Sequence, residues 1–139
     1  MDFNRAVIKV GSALISPENT DCSGKYLLGI ARFITECQKA GKEIILVSSG
    51  SVAAGRSIIK HGSPTPSIAT KQAMASVGQM KMMANWQRFF DIPCSQILIT
   101  HGDLKDRQRY INIKNTLRIL LSNGVIPIVK IFLFVRRDV

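Results

Sequence analysis

The sequence predicts an α/β fold, a three-layer α/β/α sandwich with a mostly parallel sheet. Short apolar stretches alternate along the 139 residues with segments of helical periodicity. This order is expected of parallel strands that are joined by helices. The stretch EIILV at Glu43–Val47 is continuous rather than alternating, as in strands that are covered on both faces. Glycine, proline, asparagine or serine residues separate the apolar stretches, so turns are expected between the elements.

The first half of the chain contains two predicted strands and two predicted helices. Gly11 and Ser12 end the first strand, and a polar segment follows as a loop. Apolar residues spaced three and four apart predict the first helix. The elements are a strand at Ala6–Val10, a helix at Lys25–Ala40, a strand at Glu43–Val47, and a short helix that the sequence SSGSVAAG opens and that runs toward Ile59.

The second half begins after a break rich in proline and glycine at residues 61–67. Four of the five methionines lie in the long helix that follows, and a methionine stripe is more often core than cofactor site. Gly78 in the middle of this helix costs about 1 kcal/mol relative to alanine, which predicts close packing there. The elements are a helix at Ile68–Phe90, a strand at Ser95–Thr100, a polar loop at His101–Asp106, a helix at Tyr110–Leu121 and a strand at Val125–Val129.

The end of the first strand is a candidate phosphate site, because ligands bind at the carboxyl ends of the strands in such sheets. Lys9 lies inside an apolar strand, where an unpaired ammonium group is costly to bury. One interpretation is that Lys9 meets phosphate, with Gly11 and Ser12 supplying backbone N–H groups around the anion. The other is that Lys9 points to water from an edge strand.

The end of the second strand is a second candidate. Ser48, Ser49 and Gly50 predict a tight strand-to-helix turn that aims backbone N–H groups at a bound anion. The alternative is a serine-capped helix start without a ligand. Neither the phosphate-loop motif G-x-x-x-x-G-K-[ST] nor the dinucleotide fingerprint G-x-G-x-x-G is present here.

The net charge of +10 raises a competing hypothesis, a small basic nucleic-acid-binding domain. The basic residues are scattered, however, and we expect no nucleic-acid partner and no membrane partner. The three cysteines are widely spaced and form no zinc pattern with the two histidines. We expect reduced cysteines in a cytoplasmic protein and no metal ligands among these residues.

Five segments resemble the glutamate 5-kinase family, within the amino-acid kinase superfamily. They occur in the family's order and cover residues 3–129. The combination of the second and third segments is specific, whereas K-x-G-S alone indicates only the wider superfamily, with its acetylglutamate, aspartate and uridylate kinases. The segments are VIKVGSALI, VSSGSVAAG, KQAMASVGQ, DRQRYINIKNTL and GVIPIV.

The resemblance implies transfer of the γ-phosphoryl group of ATP to the side-chain carboxylate of glutamate, the first step of proline biosynthesis. Lys9 would be catalytic and bind the ATP phosphates with Gly11 and Ser12. Ser49 and Gly50 would bind glutamate, and Mg²⁺ would bridge the nucleotide phosphates. Acetylglutamate or aspartate as substrate stays an alternative. Full-length members of the family are expected to be homo-oligomers.

The resemblance stops at Val129. The family continues there with Asn-Glu-Asn-Asp, which places an aspartate for substrate, whereas this chain continues with Lys130 and other residues. Asp138 does not match, because its surroundings differ. We predict that 1–129 is the N-terminal part of an amino-acid kinase domain, incomplete at its C-terminus. We predict that 130–139 is an unrelated tail from a reading-frame shift or truncated gene, and that this chain by itself is inactive.

Overall fold

A computed structural model of the chain describes residues 2–19 and 21–132. Strands and helices alternate along these residues as the apolar pattern predicts. In chain order the elements are β1 (Arg5–Val10), α1 (Ser12–Ile15), α2 (Leu27–Lys39), β2 (Glu43–Ser48), α3 (Ser51–Gly55), α4 (Ile68–Phe89), β3 (Cys94–Thr100), α5 (His101–Lys105), α6 (Arg107–Ser122) and β4 (Ile126–Phe132).

The four strands form one parallel sheet in the order β1-β2-β4-β3. The steps from β1 to β2 and from β2 to β3 run in one direction, whereas the step from β3 to β4 runs back. Right-handed crossovers therefore place α2 and α4 on one face of the sheet and α6 on the other. The predicted α/β/α layers with a parallel sheet are confirmed.

The core lies between the sheet and the layer of α2 and α4. Apolar residues of both helices pack on buried residues of β2 and β4. Trp86 of α4 is fully buried among them. On the opposite face α6 packs on β4, but Val7 on β1 is 62% exposed. The side chains at the centre of the core are Leu27, Ala31, Ile34, Ile44, Leu46, Met82, Trp86, Ile126 and Ile128.

Two short helices were not predicted. The expectation of a loop at His101–Asp106 was wrong, because Thr100 and Asp103 form a reciprocal cap that starts α5. Helix α1 follows β1 directly and lies before the polar loop, at residues for which no element was predicted. Each contains little more than one turn, which is too short to produce a periodic apolar pattern.

The last strand is longer than expected. β4 continues from Val129 through Lys130 to Phe132, so the predicted boundary at residue 129 falls within a strand. The unrelated origin of the tail stays a prediction, and residues 133–139 lie outside the described part of the chain. None of the helices within the described ranges is long and apolar enough to cross a bilayer.

Candidate active site

The two candidate strand ends lie side by side. Lys9 pairs with Val47 and Val10 pairs with Ser48 in the parallel register of β1 and β2. Beyond these pairs, the backbone N–H of Ser49 donates to the carbonyl oxygen of Val10 at 3.0 Å. The loops that were singled out separately in the sequence therefore form one continuous edge of the sheet.

Gly50 holds the turn after β2 against α1. Its φ of 102° lies in the left-handed region that favours glycine. A Cβ at this position would lie 3.0 Å from the Cα atom of Ser12 and 3.0 Å from the Cβ atom of Ile15. Gly50 is therefore required by both the backbone and the packing, and the predicted tight turn is confirmed.

In contrast to Gly50, Gly11 lies at a position that could accept a side chain. Its φ of −80° and ψ of 166° are open to any residue, and a Cβ at this position would meet no atom within 4 Å. Neither the backbone nor the packing of the described residues requires glycine here. The open space beside Gly11 leaves room for a ligand at the start of α1, where first-turn N–H groups lack intrahelical partners.

Lys9 and Ser49 lie at this edge and have no strong side-chain partner within the described ranges. Lys9 is exposed on β1, an outer strand of the described sheet. It forms no ion pair with the described residues. Ser49 is half-buried, and its side chain makes no hydrogen bond within the described part of the chain. Both side chains are thus available, and their roles remain predictions.

Two consecutive buried hydrogen bonds connect the end of β2 to α4. The indole Nε1–H of Trp86 donates to Ser48 Oγ at 3.1 Å, and the Ser48 hydroxyl donates to Met82 Sδ at 3.2 Å. All three residues are buried, so the bonds are shielded from water. From the sequence, Ser48 was expected in the turn and Trp86 was given no role. The two residues are 38 positions apart, and no local pattern indicates that they are in contact.

Helix α3 lies unusually close to α4. A Cβ at Gly78 would lie 2.6 Å from the backbone nitrogen of Gly55, and a Cβ at Gly55 would lie 2.8 Å from the carbonyl carbon of Met74. Backbone therefore packs on backbone, and the close packing predicted from Gly78 is confirmed. This contact fixes the turn at residues 48–50 relative to the longest helix.

Lys130 is a cation at the same edge that sequence reasoning missed. Its Nζ donates to Ser51 Oγ at the start of α3 and lies 4.8 Å from the centroid of the Phe132 ring. The side chain is half-buried, and burial lowers the pKa of Lys130. We had assigned Lys130 to the tail, although the continued apolar run around it was a signal that β4 extends further.

The carboxylate of Asp103, close to the carboxyl end of β3, has structural partners. Both the N–H and the hydroxyl of Thr100 donate to Asp103 Oδ2, at 2.7 Å and 2.6 Å. These bonds, with a lesser effect of Arg109, lower the pKa of Asp103. In the described ranges, no three histidine, cysteine, aspartate or glutamate side chains are grouped to hold a metal ion.

Comparison with known proteins gives the family. The chain is 56% identical to the glutamate 5-kinase of Idiomarina loihiensis over 127 residues, which are 91% of this chain and 34% of that protein. It is 50% identical to the glutamate 5-kinase of Salinibacter ruber over 130 residues, 92% of this chain and 35% of that protein. The chain spans about a third of the length of the curated relatives it matches. The model of the amino acid kinase family matches residues 4–138, and the chain therefore belongs to that family.

Proposed function

We propose that the edge formed by β1 and β2 is part of a site for phosphoryl transfer from ATP to the side-chain carboxylate of glutamate. The product would be glutamyl 5-phosphate, the first intermediate of proline biosynthesis. The observation that carries the proposal is the direct contact between the loops after Val10 and Ser48, which brings both candidate segments together. The glutamate 5-kinase names of the relatives support the choice of substrate.

The nucleotide half of the proposed site consists of Lys9, Gly11 and Ser12. Phosphoryl transfer needs mainly positioning and stabilisation of spread negative charge. The ammonium group of Lys9, which has no ion pair among the described residues, would supply charge. The open space beside Gly11 would let a phosphate approach the backbone. Ser12 begins α1, and its N–H would donate to the phosphate.

The acceptor half consists of Ser49 and Gly50 in the turn after β2. The Ser49 hydroxyl and the backbone of the turn would hold glutamate beside the phosphate, in the geometry that Gly50 imposes on the turn. Mg²⁺ would arrive on the nucleotide and neutralise phosphate charge. Since the described residues group no metal ligands, we assign no metal-bound step to them. A cytoplasmic site is part of the proposal and fits the free cysteines Cys22, Cys37 and Cys94.

Binding rather than turnover tests the proposal, because we expect no turnover from this chain by itself. The affinities of ATP and glutamate are measured by calorimetry with Mg²⁺ for the wild type, Lys9→Ala and Ser49→Ala. Loss of a charged contact should weaken ATP binding to Lys9→Ala by about tenfold or more. Ser49→Ala should weaken glutamate binding and spare ATP. Lys114→Ala, at an exposed position of α6, is the matched charge control.

Two results would count against this function. Equal ATP affinity in the wild type and Lys9→Ala would remove Lys9 from the site. Preference for N-acetylglutamate or aspartate over glutamate would keep phosphoryl transfer and change the substrate. Turnover that depends on glutamate would support the function and overturn our expectation that this chain is inactive.

A further inference from the structure

The position of Lys130 follows from the sheet register. Lys9 pairs with Val47, and Val47 pairs with Val129, so these three side chains share one face. Lys130 follows Val129 and projects to the opposite face, the face that carries Ser48 and α3. The carboxyl edge of the sheet thus has a lysine on each face, Lys9 on one and Lys130 on the other.

The described residues around Lys130 supply no opposite charge to it. Its contacts are a neutral hydroxyl, Ser51 Oγ, and the face of the Phe132 ring. No carboxylate within the described ranges forms an ion pair with it. A half-buried ammonium group without a counter-charge is unfavourable, since burial penalises the charged form. The complementary ligand for this position is an anion.

We propose that Lys130 Nζ and Ser51 Oγ form an anion-binding position for a phosphoryl or carboxylate group at the carboxyl edge of β4. The inference rests on the proposed function in that it assumes the same edge to be the ligand site, but it concerns a residue outside the five assigned there. The anion would take a charge-assisted hydrogen bond from Nζ, which is stronger than the bond to a neutral hydroxyl.

The consequence for a bound ligand is that positive charge reaches it from two sides. Lys9 would approach from the face on which α6 lies, and Lys130 from the face on which α3 and α4 lie. A phosphoryl group carries its charge on several oxygens, so two separated cations can contact different oxygens. The hydroxyl of Ser51 would remain as a donor to the same anion.

The first experiment observes Lys130 directly in the intact 139-residue chain. The chain is labelled with ¹³C-lysine, and the NMR signal that is absent in Lys130→Arg is assigned to residue 130. Its pKa is measured alone, with inorganic pyrophosphate and with glutamate. An anion at Nζ should raise the pKa of Lys130, because a nearby negative charge favours the protonated form. The ligand that produces the rise identifies phosphoryl or carboxylate as the source.

The second experiment measures affinity. Lys130→Gln should weaken pyrophosphate or glutamate binding by about tenfold, and Lys130→Arg should restore most of it. Lys114→Gln is the matched control and should bind like the wild type. Unchanged pKa of Lys130 with both ligands would overturn the proposal, even if Lys130→Gln failed to fold. A pyrophosphate response that persists when glutamate and ATP fail to bind would support this site and count against the proposed function.

Discussion

Gly55 and Gly78 bring the backbones of α3 and α4 into direct contact, with no room for a side chain at either position. Substitution of either by alanine forces the helices apart, since the obstructing atoms are backbone. We expect Gly78→Ala to lower the free energy of unfolding by about 1–3 kcal/mol or more. Urea unfolding measures the change.

Gly29 is the control for this pair. It lies within α2, and a Cβ there would meet nothing within 4 Å. Gly29→Ala should therefore raise the free energy of unfolding by up to about 1 kcal/mol, through helix propensity alone. If Gly78→Ala behaved like Gly29→Ala, the close crossing of α3 and α4 would be wrong.

Alanine substitutions at Gly11 and Gly50 should affect different properties, ATP affinity at Gly11 and stability at Gly50. Gly11→Ala fits the described structure without strain, so its thermal midpoint should stay near that of the wild type while ATP affinity falls. Gly50→Ala should lose stability instead, because of its positive φ and its contacts with Ser12 and Ile15. Calorimetry and thermal unfolding of both variants measure the two effects. Full ATP affinity in Gly11→Ala would show that the space beside Gly11 is not used.

The hydrogen bond from Trp86 to Ser48 should be worth more than an exposed one. Ser48→Ala leaves the buried indole N–H without an acceptor, which costs about 1–3 kcal/mol. Ser57→Ala, at an exposed position, should change the free energy of unfolding by less than about 0.5 kcal/mol. The same denaturant titration measures both variants, and equal effects would mean that the indole finds another partner.

Asp103 should make stability sensitive to acid. Its pKa is held below the ordinary 3.8 by the bonds from Thr100, so the folded state favours the carboxylate. The stabilisation is fully present above about pH 4 and is lost as the pH falls through the folded pKa. The difference in unfolding free energy between wild type and Asp103→Asn should accordingly shrink from neutral pH toward about pH 2.5. An Asp103→Asn difference that is independent of pH would contradict the cap.

The local sequence pattern predicted those helices and strands that are long enough to show a helical period or a continuous apolar run. The continuous apolar run from Ile44 to Val47 and the periodicity of α2 gave bounds within a few residues of those observed. Helices α1 and α5 have too few residues for any period, and the cap formed by Thr100 and Asp103 was the one signal for α5. Ser49 and Gly50 are residue types that favour turns, so the sequence also indicated the loop after β2.

Contacts between distant residues could not be predicted in this way. Trp86 and Ser48 are 38 positions apart, and Lys130 and Ser51 are 79 apart. The first pairing depends on how α4 packs on β2, and the second depends on where β4 enters the sheet. No local pattern encodes either of them. The segments that carried the resemblance in the sequence end at Val129, so no role was predicted for Lys130.

The place of β4 in the sheet has a consequence for how this chain folds. β2 and β3 are synthesised well before β4, yet each lies beside β4 and they do not pair with one another. In a nascent chain, any native-like placement of β2 and β3 would leave a gap between them until residues 126–132 have been synthesised. Closure of that gap requires contacts between residues far apart in sequence, which makes late and slow completion of the sheet the expected order of events.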